Sequence, residues 1–107
     1  MKHFKLENFT RGWLIGDFEP SIIKTDQFEF GIKKYQTGEE EDEHYHKITE
    51  ELSVIVCGKF EMNGMILEEG DVILLSPGDP SKFKCLESGY TAVIKKPSVK
   101  NDKFIVS

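Results

Sequence analysis

The sequence lacks any apolar run approaching the roughly 18 residues that a membrane-spanning helix needs. It has only two cysteines and four prolines among 107 residues, and 14 Lys and Arg against 19 Asp and Glu give a formal charge of −5. Each shortage excludes something. No membrane helix is expected. Cys57 and Cys85 form no C-x-x-C pair and are too few for a disulfide scaffold, so a reducing cytoplasm is the expected setting. Met1-Lys2-His3-Phe4-Lys5 leads into Leu6-Glu7-Asn8 and not into an apolar stretch, so no signal peptide is expected. A deficit of basic residues argues against nucleic acid or an anionic membrane as partner, since both require clustered Lys and Arg.

A long 3.6-residue apolar period is also missing, and short β-like runs broken by turn residues take its place. A length of 107 residues suits one domain, 1–107, and a hydrophobic fraction of 38% is too high for a disordered chain. Residues 12–16 form a short apolar patch, and 17–26 read as a turn at Pro20 followed by a brief strand. Over 27–36, Phe28, Phe30 and Ile32 alternate with Glu29 and Lys33, the period of two that marks a half-buried strand. Residues 38–43 carry five adjacent acids and read as a solvated loop. Residues 51–57 are β-rich and bounded by Gly58. Residues 59–62 and 65–68 flank Asn63-Gly64, a strong hairpin signature because a type I′ turn needs positive φ at both central positions. Residues 72–75 form a strand stopped by Ser76-Pro77-Gly78-Asp79-Pro80. Residues 81–87 and 90–96 read as a last hairpin around Ser88-Gly89, and 103–106 as an edge strand. Strands at intervals of ~8–12 residues indicate an all-β sandwich or small barrel.

Candidate chemistry lies in 38–58. His44 and His46, two apart in a strand, point to one face, and a carboxylate from the next strand can join them. Glu50 and Glu51 would face opposite ways, and the spacing to Gly58 favours Glu51. With Glu51 inward, Ser53, Ile55 and Cys57 share its face, while Leu52, Val54 and Val56 take the other. Two His and one carboxylate are a ligand set for Fe, Mn, Ni or Zn. Tyr45 should point away from the histidines and pack. Trp13 and the phenylalanines read as core, His3 as incidental, Asp79 and Lys82 as exposed turn residues, and both cysteines as small buried hydrophobes.

The segment from Gly38 through His44, His46 and Glu51 to Gly58 resembles the first motif of the cupin superfamily, G-x5-H-x-H-x3,4-E-x6-G, at every fixed position. Residues 70–85 resemble the second motif, G-x5-P-x-G-x2-H-x3-N, only in part. Gly70 and Gly78 fit, but Ser76 stands at the proline position, Ser81 at that of the fourth ligand, and Cys85 at that of the asparagine. The resemblance implies a small double-stranded β-helix (jelly-roll) barrel. It also implies a divalent transition metal held in the mouth by His44, His46 and Glu51, and a homodimer. Dioxygenases, isomerases and epimerases are the reaction classes it implies. Gly12-Trp13-Leu14-Ile15-Gly16-Asp17-Phe18 is similar to the opening of small cupins associated with surface-sugar biosynthesis, which implies a sugar-related small-molecule ligand. Because a serine hydroxyl is a poor ligand for such a metal, Ser81 leaves two readings open. One is an enzyme with an open three-ligand metal; the other is a metal-free module binding a small polar ligand through Ser81, Lys82 and the histidines. A structural partner of a larger enzyme is a third.

Overall fold

The structure is a computed structural model and describes residues 1–106. Short 3-10 turns at Leu6–Asn8 and Thr10–Gly12 precede nine strands. These are β1 (Trp13–Gly16), β2 (Ile23–Lys24), β3 (Glu29–Tyr35), β4 (His44–Tyr45), β5 (Glu50–Met62), β6 (Met65–Glu68), β7 (Val72–Leu75), β8 (Phe83–Lys96) and β9 (Phe104–Ile105). Seven form one sheet in the order β2-β1-β3-β8-β5-β6, with β7 paired to β5 beyond it, and β4 pairs with β9. Among the described residues, no helix is long and apolar enough to cross a membrane.

Two expected strand breaks are absent. β5 runs through Gly58, and β8 runs through Ser88-Gly89, where a hairpin had been expected. Both strands are instead long and irregular at the same place, with register shifts between Ile55 and Phe60 of β5. Bulges of this kind bend a strand. Glycine is required there because the two backbones almost touch. A Cβ on Gly89 would collide with the Cys57 carbonyl, and one on Gly58, at φ +91, would lie 2.7 Å from that of Glu87. The Ser-Gly pair thus marks a crossing and not a turn, and Gly58 in the first motif has a steric reason. The Asn63-Gly64 turn forms as expected, with both residues at positive φ between β5 and β6.

The barrel has an apolar end and a polar end. Ile55, Phe60, Met62, Leu67, Phe83 and Cys85 form the buried core, joined by Tyr35. Phe60 and Phe83 stack at 4.9 Å between centroids, and Tyr35 meets both edge-on.

Toward the other end the inward face turns polar, and the alternation in β3 has the reverse sense to the usual one. Glu29 faces the interior directly opposite Lys95 of β8, which lies opposite Glu51 of β5. Phe30, Ile94, Leu52 and Leu74 form the matching outward row, and Ile32, Ala92, Val54 and Val72 the next. Leu52, Val72, Leu74 and Ile94 are exposed on that outer face.

Phe60 is fully buried between two aromatic neighbours. Phe60→Ala is expected to cost about 3–5 kcal/mol, the range for emptying an aromatic site in a packed core. Urea unfolding followed by near-UV circular dichroism checks this.

Candidate functional site

The polar end holds an open cavity of about 950 Å³ lined by residues of β1, β3, β5 and β8, the N-terminal segment and the 39–44 segment. His44, Glu51 and Ser81 line it; Glu50 is exposed, so Glu51 is the inward carboxylate. His46 lines a smaller neighbouring recess instead, about 480 Å³, with Asp17, Glu29 and Asp102. The two imidazoles lie 5.4 Å apart between centroids and nearly perpendicular. Arg11, Trp13, Lys95 and Lys103 line both spaces.

Each histidine is held by its Nδ1. His44 Nδ1 donates to the Asp42 carbonyl at 2.9 Å, and His46 Nδ1 donates to the Asp102 carbonyl at 2.6 Å. A carbonyl only accepts, so each Nδ1 carries a proton and Nε2 is the ring nitrogen left to face the site. For His46 that Nε2 is buried and has no hydrogen-bond partner among the described residues. Burial holds the His46 imidazole below the usual histidine range, reinforced by the nearby Lys95 ammonium.

Asp102 is the fastener. Its carboxylate accepts the backbone N–H groups of Lys47, Ile48 and Thr49 at 3.0–3.3 Å, fixing the turn that follows His46. Burial alone would raise its pKa, but the donors from Thr49, Ile48 and Lys47 pull it net below the ordinary carboxylate range. The expected edge strand at 103–106 forms as β9 and pairs with β4, so its neighbour Asp102 reaches the site from the far end of the chain. A clamp residue isolated in a polar tail carries no motif, and sequence spacing did not flag it.

The charged row at the cavity wall was also missed. Lys95 Nζ lies 3.8 Å from Oε1 of Glu29 and 3.8 Å from Oε1 of Glu51, and all three side chains are largely buried. Ser98 Oγ donates to the second oxygen of Glu29 at 2.8 Å. Trp13, read as core, lines the cavity, and its ring carries Lys33 Nζ at 4.9 Å and Lys95 Nζ at 5.1 Å. Such cation–π contacts fix both ammonium groups. Burial pushes Lys33 below the usual lysine range; the Glu41 carboxylate opposes this, while Arg11 and Lys95 add to it.

The acidic 39–43 segment is not merely solvated. Glu39, Glu40, Glu41 and Asp42 line the cavity, and Glu41 accepts the Tyr35 hydroxyl at 2.8 Å. Burial, followed by the Glu41 charge, raises the Tyr35 pKa strongly, so Tyr35 stays a neutral donor. Ser81 is buried, its backbone paired with His44 in both directions at 2.8 and 3.0 Å. Tyr45 stacks on Phe104, outside the cavity lining, as strand parity predicts. Asp79 and Lys82 are exposed turn residues, and Asp79 accepts the Ser76 N–H. Cys85 is a buried core residue whose thiol burial pushes up, and Cys57 is half-buried.

The donors in this arrangement do not fit a metal ion. Glu51 is engaged by an ammonium, His44 and His46 open into separate spaces, and no three His, Cys, Asp or Glu residues among those described are placed to share one.

The chain matches no protein family and no curated protein by sequence. It does match solved structures. The DMSP lyase DddQ from Ruegeria pomeroyi DSS-3 aligns with TM-score 0.70 and 21% identity, over 88% of this chain and 49% of that one. This chain thus spans about half the length of that lyase. A double-stranded β-helix protein from Klebsiella pneumoniae aligns with TM-score 0.69 and 17% identity, over 99% and 91%. An RmlC-like cupin from Shewanella frigidimarina aligns with TM-score 0.64 and 21% identity, over 73% and 72%. The chain has the cupin fold, a small double-stranded β-helix.

Asp102→Ala is expected to strip three backbone donors of their acceptor. The expected loss is about 3 kcal/mol, the upper end of the range for a buried donor left unpaired. Thermal unfolding gives the loss, and hydrogen exchange at Lys47, Ile48 and Thr49 locates it.

Proposed function

We propose that this cupin-fold protein binds a small, neutral, hydroxyl-rich molecule of the sugar class in its cavity. The observation that carries this is charge balance. Six Lys or Arg side chains and six carboxylates line the cavity among the described residues. An ion of either sign meets as many like as unlike charges there. A polyol suits such a wall because each hydroxyl both donates and accepts. Lys33 and Arg11 offer donors, Glu39 and Glu51 offer acceptors, and His44 offers Nε2. The volume is of the size that takes small-molecule ligands, and the loose sequence similarity of residues 12–18 to sugar-associated cupins points the same way.

Isothermal titration calorimetry with neutral sugars, sugar acids and amino sugars tests this. A neutral member is expected to bind, and Lys33→Met to weaken it about tenfold, or about 1.4 kcal/mol. If only charged members bind, or none does at millimolar concentration, the reading falls.

A second reading, a metal-dependent enzyme using His44, His46 and Glu51 on a sugar-related substrate, is favoured by one atom, the unpartnered Nε2 of His46. It requires Glu51 to leave Lys95. Metal analysis of protein purified without chelator separates the two: a stoichiometric transition metal, lost in His44→Ala and His46→Ala, favours the enzyme.

We propose that the protein is a homodimer. The outward rows of β3, β8, β5 and β7 present exposed Leu52, Val72, Leu74 and Ile94 side by side. A two-fold axis brings such an uncharged patch onto its own copy, and monomeric proteins seldom leave broad apolar patches bare. Light scattering at micromolar concentration is expected to give a dimer, and Leu74→Asp a folded monomer. A wild-type monomer refutes the dimer.

A further inference from the structure

We infer that Lys95 is a tethered cation that occupies the divalent ion's place in this barrel, so that the wild-type site excludes metal and removing this side chain creates a metal site.

Lys95 lies directly opposite Glu29 of β3 and directly opposite Glu51 of β5. The three side chains therefore leave one face of three adjacent strands, and the ammonium meets both carboxylates at the same 3.8 Å. Two inward carboxylates at this level require a positive charge between them, since buried ions persist only when paired. A metal would supply that charge from solution, and here the chain supplies it covalently.

Position agrees with charge. Lys95 lines the large cavity beside His44 and Glu51, and also the recess beside His46. With Arg11, Trp13 and Lys103 it belongs to the wall that the two spaces share. Its ammonium faces the Trp13 ring as well, which holds it where it is.

One atom of the neighbouring recess is left unmet. His46 is 6% exposed, its Nδ1 is fixed on the Asp102 carbonyl, and its Nε2 is buried with no partner. A lone pair buried without a donor is costly and is the usual mode of imidazole–metal ligation. The site therefore retains an oriented histidine and an inward carboxylate, with a positive charge held on the carboxylate. Ser81 at the fourth-ligand position fits the same picture, because a lysine-filled centre has no need of that ligand.

The test is metal binding by wild type, Lys95→Ala and Lys95→Arg. Zn²⁺ and Mn²⁺ are the probes, and calorimetry and the metal-induced shift in melting temperature are the readouts. Lys95→Ala is expected to bind one ion at least about 100-fold more tightly than wild type, since a nearby unit charge strongly opposes a divalent ion where water is scarce. Lys95→Arg, which keeps the charge, is expected to stay with wild type. Adding His46→Ala or Glu51→Gln to Lys95→Ala is expected to abolish the gain. If unpaired carboxylates prevent Lys95→Ala from folding, Glu29→Gln/Lys95→Ala keeps one carboxylate with both histidines and takes its place. Tight metal in wild type overturns the inference, because Lys95 then excludes nothing. Equal, weak binding in wild type and the alanine variant also overturns it, because the donors then fail to converge for another reason. Neither outcome depends on whether the cavity binds a sugar.

Discussion

The ion row Glu29–Lys95–Glu51 is the constraint on which the polar half of the barrel depends. It crosses three strands at one level, and one central ammonium balances two carboxylates only while β3, β8 and β5 keep their register. A slip of one residue in any of them would move its charge to the outer face and bring an apolar side chain inward. Buried ion pairs add little net stability over well-packed apolar residues, yet breaking one is expensive. In this barrel the row acts as a register lock. It also accounts for the inside-out strand β3, whose Phe30 joins the outward row with Ile94 and Leu52 because Glu29 is committed to the inside.

A second tie, between ends of the chain, follows from the same economy of buried groups. The turn after His46 has three N–H groups directed at one point, and Asp102 meets all of them. The same residue's carbonyl orients the imidazole. Backbone and side chain of one residue thus set both the turn and the histidine's tautomer, over a sequence separation of 56. A histidine fixed this firmly serves poorly as an incidental surface residue, even where no ion reaches it.

Most of the fold was legible because it rests on local rules. Asn63-Gly64 forms the expected hairpin, and the strands at 65–68 and 72–75 appear with the expected bounds. Glu51 faces inward and Glu50 outward, as spacing from Gly58 indicates. The failures share a cause, which is that the deciding partner lies far away in sequence. Ser88-Gly89 has the composition of a turn, but Gly89 is needed for the crossing with Gly58, and nothing local distinguishes the two uses. In 27–36 a period of two indicates a strand without saying which face is inside. That was decided by Lys95, more than sixty residues later. Trp13 reads as core because its ring is apolar, whereas in the structure two ammonium groups rest on it. Asp102 and Lys95 belong to no motif and reach the site only through the pairing of β9 with β4 and of β8 with β5.

By its motifs the chain has the weak point of its site at Ser81, where a ligand is missing. We infer that it lies instead at Lys95, whose ammonium sits beside Glu51. The two changes differ in consequence. Losing one neutral ligand leaves a centre whose net charge still attracts a cation, with water able to complete the shell. Adding a fixed ammonium beside Glu51 cancels that attraction and fills the space as well. Ser81 is buried and its backbone is spent on pairing with His44, so it now serves to position that histidine. Restoring a histidine at 81 alone would therefore leave the cation's place taken, and the chemistry available to this barrel is set by the lysine and not by the serine.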